Sequence, residues 1–304
     1  MKVAIRLLFF LHIAIQCGFA QPRIPPLNTA SKGYINVFYA PIDSLYAKQT
    51  LNHCQILYQE IAYDLQVEQK DTVKVIIAAN RDQFRSYLRG DPPNWAEAFA
   101  FPAVNTILLK SPRWNRSETS VKITLAHEIL HVVLHKVIGN RYIPRWLDEG
   151  LALFYSRDVK WKTMTALSKA VFTNSLIPLR ELDDVISFHR FKAELAYQQS
   201  FSVVEYILKT YDIDAIQKIL TGLRNNENMD KIFLHATGSN FAAFEKEWQN
   251  YVRQNYRWLW LYDIQNYLGL LFILLFLIAI PLVWLRNRKK IKTWEKETYV
   301  EEEE

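Results

Sequence analysis

The spacing of apolar positions divides the chain into a front half that contains strands and a back half that is helical. Short apolar runs rich in β-branched and aromatic residues predict strands, whereas apolar residues that recur every three to four positions predict helices. In the front half, the predicted strands are Tyr34–Ala40, Thr72–Ala78, Trp95–Phe101 and Asn105–Lys110, and the predicted helices are Asp43–Gln66 and Asn80–Leu88, with a turn at Gly90–Asn94.

The helical pattern begins at Ser117 and continues to Tyr256. Gly139 can adopt a positive φ and is predicted to end the first of these helices after Ile138. Strands followed by a run of helices predict an α+β domain, which we place at residues 34–257, with an α/β half at 34–116 and a helical half at 117–257. The other predicted helices are Pro144–Ser156, Trp161–Phe172, Phe191–Thr210, Ile213–Leu223, Met229–Ala236 and Asn240–Tyr256.

The N-terminal residues have the pattern of a secretory signal peptide. Residues 1–20 combine a positive start with a short apolar run and small residues, and cleavage is expected near Ala20–Gln21. The alternatives are an uncleaved anchor and a buried strand. A lipoprotein would carry its lipid on Cys17, but the bulky Gln16 before it argues against this. The proline-rich residues 21–33 are predicted to be a linker.

A second apolar segment, residues 267–285, carries no charge. As a helix it spans roughly 30 Å, the thickness of the hydrocarbon core. Aromatic residues in the juxtamembrane segment 258–266 resemble an interfacial belt, and the tail 286–304 begins with a cluster of Arg and Lys. Because positive charge stays in the cytoplasm, we predict a single-pass type I membrane protein with its domain outside the cytoplasm. A bacterial envelope protein fits this organisation; Asn115–Ser117 is also a glycosylation sequon that a eukaryotic surface protein could use.

Charge and cysteine content exclude some functions. The formal net charge is +6, but much of the positive charge flanks the two membrane-directed segments. No basic patch is interleaved with aromatic residues, so a nucleic-acid partner is not predicted. Cleavage at Ala20 would leave Cys54 as the one cysteine, and no internal disulfide could form.

The stretch LAHEILHVVLH, residues 125–135, carries the candidate chemistry. His127 and His131 are four apart on a helix, so their rings project in the same direction and could hold one ion about 2.0–2.1 Å from each nitrogen. Glu128 would lie beside that ion and could take a proton from a water molecule. His135 cannot complete the site, because it lies about 12 Å along the helix axis from His127. The alternative is that these residues are only polar positions on an apolar helix.

A third ligand is available in the following helix, within PRWLDEGLALF. A short turn before Pro144 can return Glu149 to the histidine pair, and Gly150 would permit close packing of this helix against the motif helix. The alternative for Asp148 and Glu149 is that both acids complement the dipole at a helix N-terminus.

The combination of AHEILH with WLDEGLA resembles the gluzincin zinc peptidases, and most closely the peptidase MA-like group. The segments VKVIIAANRDQF, NTILLKSP and AYQQSFSVVEYIL resemble the layout of that group, so the resemblance extends roughly from Tyr34 to Tyr256. It implies a zincin-like α+β fold. One difference is that gluzincins often have an acid one turn after the glutamate ligand, where this chain has Leu153. Asp148 or a backbone carbonyl would then have to orient a histidine.

The resemblance implies a zinc metallopeptidase that hydrolyses peptide or protein substrates with a zinc-activated water and Glu128 as general base. It also implies a hydrogen-bond donor to the oxyanion, for which Tyr197 is the candidate and His189 the alternative. The implied ligands of Zn²⁺ are His127, His131 and Glu149.

Substrate binding is also suggested by analogy. Strand Asn105–Lys110 precedes the motif helix, as the zincin edge strand does, and could pair with an extended peptide. The amine-binding motif GxMEN of aminopeptidases does not occur, which favours an endopeptidase. Two other readings remain open: a non-catalytic ectodomain that binds an envelope partner, and a structural membrane protein with a chance motif.

Overall fold

The computed structural model describes residues 27–68, 70–88, 96–114, 119–158, 164–187, 190–259 and 261–301. The predicted signal peptide, the predicted turn at Gly90–Asn94 and His189 lie outside these ranges. The chain divides into two compact units, Met1–Arg257 and Trp258–Glu304. The first unit contains the candidate site and the second contains the apolar C-terminal helix.

Unit 1 contains a small mixed sheet with strand order β1-β2-β3-β5-β4. Strands β2, β3 and β5 are parallel, whereas β1 and β4 are antiparallel to their neighbours. The four strands predicted from the sequence are therefore present, together with one that was not predicted. The strands are β1 (Asn28–Lys32), β2 (Ile35–Tyr39), β3 (Val73–Ala78), β4 (Ala98–Phe101) and β5 (Thr106–Lys110).

The prediction of a linker over residues 21–33 is wrong for Asn28–Lys32, which form β1. This strand pairs antiparallel with β2 across a tight turn in which Gly33 has a φ of +57°. Four of the five side chains in β1 are exposed, so the segment has no alternation of apolar and polar residues. Backbone hydrogen bonds to β2 hold it in the sheet.

The edge strand next to the motif helix is β4, and the prediction that Asn105–Lys110 forms this edge is wrong. Strand β5 pairs with β3 on one side and with β4 on the other, and four of its five residues are buried. The short turn Pro102–Asn105 joins β4 to β5 as a hairpin, in which Asn105 has a φ of 50°. The hairpin places β4 at the edge of the sheet, and this is seen only in the order of the strands.

Helices cover both faces of the sheet. Phe84 of α2 packs with Ala78 and Leu108 on one face. The side chains of alternate residues, such as Val75, point to the other face of the sheet. There α1 and α3 pack against the sheet and against each other. Cys54 is fully buried in α1. The helices are α1 (Ser44–Asp64), α2 (Arg81–Ser86), α3 (Val121–Ile138), α4 (Arg145–Ser156), α5 (Thr165–Phe172), α6 (Arg190–Arg224), α7 (Met229–Thr237) and α8 (Phe241–Tyr256).

The predicted helical half agrees with these bounds except in detail; for example, the helix predicted from Trp161 begins at Thr165. Helix α3 begins at Val121 rather than Ser117, because the hydroxyl of Ser120 caps it by accepting a hydrogen bond from the backbone N–H of Lys122. It ends at Ile138 before Gly139, whose φ is 67°, as predicted. A short 3₁₀ segment at Leu179–Ser187 was not predicted. Helix α6 is interrupted at Asp212, between the two helices predicted there.

Gly150 allows α4 to cross α6 closely, whereas the sequence led us to expect that it would serve the packing of α4 against the motif helix α3. A Cβ atom on Gly150 would lie 2.4 Å from the carbonyl oxygen of Ser200 and 2.7 Å from Cγ2 of Val204. The first atom belongs to the α6 backbone and cannot move alone. We expect Gly150→Ala to destabilise the domain by about 1–3 kcal/mol, which lowers the melting temperature by roughly 2–4 °C per kcal/mol.

Gly222→Ala is the matched control for that measurement. A Cβ atom there would lie 2.6 Å from Cγ1 of Ile232, so the close contact is with a side chain, which can shift, and not with backbone. Alanine also has the higher helix propensity. Thermal unfolding of both variants should show a clearly larger loss for Gly150→Ala; equal losses would contradict the close-packing role of Gly150.

Unit 2 is the helix α9 (Leu261–Glu301). Its segment Leu268–Ile291 is long and apolar enough to cross a membrane, and its apolar side chains are exposed. The segment overlaps residues 267–285, for which the sequence predicted a transmembrane helix. Pro281 lies inside the helix.

Candidate metal centre

Helices α3 and α4 bring the predicted site residues together inside unit 1. The six residues between the helices, Gly139–Pro144, form a turn that reverses the chain direction, so that α4 packs against α3. Helix α6 packs against both α4 and α3. As a result, the side chains of His127, Glu128, His131 and Glu149 are all buried.

Three of these side chains form a compact group. The candidate ligand atoms of His127, His131 and Glu149 all lie within 4.8 Å of one another. Nε2 of His127 is 3.8 Å from Oε2 of Glu149, and the centroids of the two imidazole rings are 4.9 Å apart. Ligands at zinc–ligand distances of about 2.0–2.1 Å are separated by roughly 3.3 Å in a tetrahedral site, so small side-chain adjustments would let all three reach one ion.

The environment of Glu149 fits a cation. Neither carboxylate oxygen of Glu149 accepts a hydrogen bond from the residues that the structure describes, although the side chain is buried. Burial raises the pKa of Glu149 to about 8, against the opposing charge of His131. An unpaired carboxylate is costly in a protein interior, and a bound cation removes this cost.

Asp148 orients His131. Nδ1 of His131 lies 2.7 Å from Oδ1 of Asp148. Because an ionised carboxylate can only accept hydrogen bonds, Nδ1 of His131 carries a hydrogen and donates a hydrogen bond to Asp148. In the neutral ring, the lone pair is then on Nε2. Burial lowers the pKa of His131, but Asp148, Glu149 and Glu128 outweigh it and raise the pKa to about 9. Of the two orienting groups considered from the sequence, the structure shows Asp148.

His127 is kept neutral in the same pocket. Burial lowers its pKa well below the usual value, and the charge of His131 lowers it further, while Asp148 opposes this shift. A neutral imidazole is the form that binds a metal ion.

Glu128 lies next to this group and against the edge of the sheet. Burial raises its pKa to about 7, while His131 and the backbone of Ala100 in β4 lower it. The interaction with Ala100 places β4 beside the Glu128 carboxylate. A carboxyl group with a pKa near neutrality can both accept and release a proton.

Tyr197 of α6 belongs to the same region. Burial raises its pKa well above the usual value, and the negative charge of Glu149 adds to the shift. The structure therefore brings Tyr197 into electrostatic contact with the group. His135 is not a member of the metal-binding group found among the described residues, in agreement with its exclusion by helix geometry.

Two features near the group were not predicted from the sequence. They are Arg145 and the backbone of β4. Arg145 is the first residue of α4, and its charge lowers the pKa of both Glu149 and Tyr197. Its position four residues before Glu149, on the same face of α4, was the available signal. The role of β4 had no local signal, because it depends on the order of strands in the sheet.

The comparison with protein families agrees with this geometry. A family model described as the Peptidase MA superfamily matches residues 55–254. A search of curated proteins returned no match. The matched range includes α3, α4 and α6, which carry the buried group, and most of the mixed sheet, so the zincin-like α+β fold predicted from the sequence is confirmed. Since the match covers more than half of the chain and indicates an enzyme of the peptidase type, this protein belongs to the peptidase MA superfamily.

Proposed function

We propose that this protein is a membrane-anchored zinc metallopeptidase of the gluzincin type. The observation that carries the proposal is the buried His127–His131–Glu149 group with Glu128 beside it. Two imidazoles and one carboxylate form the ligand set of catalytic zinc sites, which keep a fourth position open. When bound, zinc would supply a Lewis acid that activates a water molecule and polarises the scissile carbonyl.

Glu128 is the proposed general base. Its buried carboxylate would accept a proton from the attacking water and then donate it to the leaving amine. The pKa of about 7, raised by burial, suits both steps near neutral pH. This role needs no further side chain to move the proton.

Asp148 is proposed to hold His131 in its ligand orientation. We expect Asp148→Ala to lower the affinity for zinc about 10–100-fold, because His131 loses its hydrogen-bond acceptor. Asp148→Asn should lower it less, since the amide oxygen can still accept from Nδ1. Competition with a chelator of known affinity measures both effects, and an unchanged affinity in Asp148→Ala would exclude the orienting role.

Tyr197 is the proposed donor to the oxyanion of the tetrahedral intermediate, because its hydroxyl lies in the same buried region as Glu149. We expect Tyr197→Phe to lower kcat about a hundredfold and to change KM little, since the oxyanion develops only in the transition state. Zinc content and melting temperature serve as controls. A change in KM alone would instead assign Tyr197 to substrate binding.

The edge strand β4 is the proposed substrate-binding strand. The carbonyl oxygen of Glu97 accepts a hydrogen bond from the backbone N–H of Lys110 at 3.0 Å, one step beyond the pair Ala98–Leu109. Hydrogen-bonded and non-bonded pairs alternate along antiparallel strands, so the backbone groups of Ala98 and Ala100 point away from β5. An extended peptide could pair with them next to Glu128. This mode of binding holds an internal segment of a substrate chain and therefore supports an endopeptidase.

We also propose the membrane topology predicted from the sequence. Residues 1–20 would be a signal peptide, residues 28–257 an extracytoplasmic peptidase domain that includes β1, residues 258–266 a juxtamembrane segment, residues 267–285 the membrane span, and residues 286–304 a cytoplasmic tail. The apolar segment of α9 supports the span. The cluster of Arg and Lys after it supports the orientation.

The decisive experiment measures metal content and cleavage on the same preparation. The full chain, purified in detergent and supplied with zinc, should contain about one zinc per chain by mass spectrometry and should cleave a library of protein-derived peptides at internal bonds. Treatment with a chelator should abolish cleavage, and zinc should restore it. Zinc binding without cleavage would favour the non-catalytic ectodomain, and no metal in the reconstituted protein would exclude the zinc peptidase.

A further inference from the structure

The helix that supplies Glu149 begins without a cap from its own neighbouring residue. Pro144 occupies the position before α4, and its side chain has no atom that could accept a hydrogen bond from the first N–H groups of the helix. The backbone N–H of Arg145 donates instead to Oδ1 of Asp183, at 2.7 Å. Since Asp183 lies 38 residues further along the chain, α4 is capped by a carboxylate from another segment.

The second oxygen of the same carboxylate binds the turn that precedes α4. Oδ2 of Asp183 accepts a hydrogen bond from the hydroxyl of Tyr142. Tyr142 belongs to the turn Gly139–Pro144, which joins α3 to α4. One side chain therefore fixes both the turn and the first residue of α4, and with them the angle between the two helices that carry the ligand group.

The negative charge of Asp183 suits this position. An acid at a helix N-terminus is stabilised by the helix dipole, and its hydrogen bond to a backbone N–H is charge-assisted. Glu149 follows Arg145 by four residues, which is about 6 Å along the helix axis. Because a helix moves as a rigid rod over such a distance, a displacement of its first turn also displaces Glu149.

The carboxylate can hold α4 because the segment that carries it, residues 176–183, is itself fixed. The side-chain amide of Gln199, in α6, binds both backbone groups of Ile177, at 2.9 and 2.7 Å. The backbone N–H of Leu179 donates to Oε1 of Glu245, in α8, at 2.7 Å. We call residues 176–183 the support segment; it is anchored to α6 and α8 and holds the start of α4 relative to them.

The metal centre depends on where α4 sits, because its ligands come from two helices. His127 and His131 lie on α3, and Glu149 lies on α4. Nε2 of His127 and Oε2 of Glu149 are 3.8 Å apart, close to the separation of roughly 3.3 Å in a tetrahedral zinc site. Such a site has to be held within about 0.5 Å of its productive geometry, so a small shift of α4 matters.

We propose that Asp183 is a positioning residue of the metal centre: it sets α4 against α3 so that Glu149 reaches the ion held by His127 and His131. The inference rests on the proposed zinc site. Asp183 contacts neither the ion nor the substrate and acts through the backbone of α4.

The dissociation constant for zinc tests the inference. It is measured by competition with a chelator, on the full chain in detergent, at a temperature where thermal unfolding shows every variant to be folded. We expect Asp183→Ala to weaken zinc binding about tenfold, the lower end of the range for losing a group that orients a ligand. Asp183→Asn should recover most of the affinity, because its amide oxygen can still accept from the N–H of Arg145.

Asn80→Ala is the matched control, since it also removes a helix cap. Oδ1 of Asn80 accepts a hydrogen bond from the backbone N–H of Gln83, at 2.8 Å, and so caps α2, which packs on the sheet and carries none of the site residues. Losing either cap should lower the melting temperature by roughly 2–4 °C. Only Asp183→Ala should also weaken zinc binding, which a role confined to stability would not do.

The same titrations separate this inference from the proposed function. Equal zinc affinity in the wild type and Asp183→Ala, or an equal loss in Asn80→Ala, would overturn the positioning role while the zinc site stands. Asp183→Asn binding zinc no more tightly than Asp183→Ala would also overturn it. A wild type that binds no zinc would overturn the proposed function and the positioning role with it.

Discussion

Replacing Glu128 with glutamine is expected to lower kcat by about 10²–10⁴-fold and to leave one zinc per chain in place. The amide has the shape of the carboxyl group but cannot accept a proton from water. Because Glu128 is buried against the ligand group without belonging to it, metal binding should survive. Peptide cleavage and metal content, measured on one preparation, give both results.

The control for this variant is Glu97→Gln. Glu97 is also a buried carboxylate that contacts α3, since its Oε2 accepts a hydrogen bond from Thr124 at 3.3 Å. Removing this charge should change stability more than kcat. If the two variants lost activity equally, or if Glu128→Gln kept wild-type turnover, Glu128 would not be the base.

Replacing Glu149 with glutamine is expected to lower the affinity for zinc at least a hundredfold, because a neutral amide oxygen is a far weaker ligand than a carboxylate. Zinc at a hundred times the dissociation constant stabilises the wild type by about 2.7 kcal/mol, and this stabilisation should nearly vanish in the variant. For a domain of this size, the loss amounts to roughly 5–10 °C in zinc-dependent melting temperature.

Without zinc, the order of stability of the wild type and Glu149→Gln should be reversed. Burial raises the pKa of Glu149 to about 8, so in the metal-free wild type stability falls as pH rises from the unfolded pKa near about 4.3 towards 8. Glutamine cannot ionise and removes this penalty. At pH 7 the metal-free variant should therefore be at least as stable as the metal-free wild type.

The two glutamine variants together test the proposed division of roles. Glu128→Gln should keep zinc and lose turnover, and Glu149→Gln should lose zinc and, as a consequence, turnover. Calorimetric titration or competition with a chelator measures the dissociation constant of Glu149→Gln for zinc, which decides the test. Wild-type zinc affinity in that variant would mean that the third ligand is another residue.

The hydrophobic pattern predicted most of the fold because most elements bury one face. Helix α1, the two parts of α6 and strand β3 each have apolar residues at the period of their structure, and they were found at the predicted places. Strand β1 was missed because its side chains are nearly all exposed and only backbone hydrogen bonds hold it. Backbone pairing leaves no trace in the order of apolar and polar residues.

The sequence by itself determined the relations that lie within one element. The spacing of His127 and His131 places both on one face of a single helix, and the apolar segment of α9 needs no partner to be recognised. The tertiary structure alone decided which edge of the sheet faces Glu128, that Asp148 orients His131, and that Tyr197 lies near Glu149. These relations depend on how strands and helices pack, and packing joins residues whose separation along the chain carries no periodic signal.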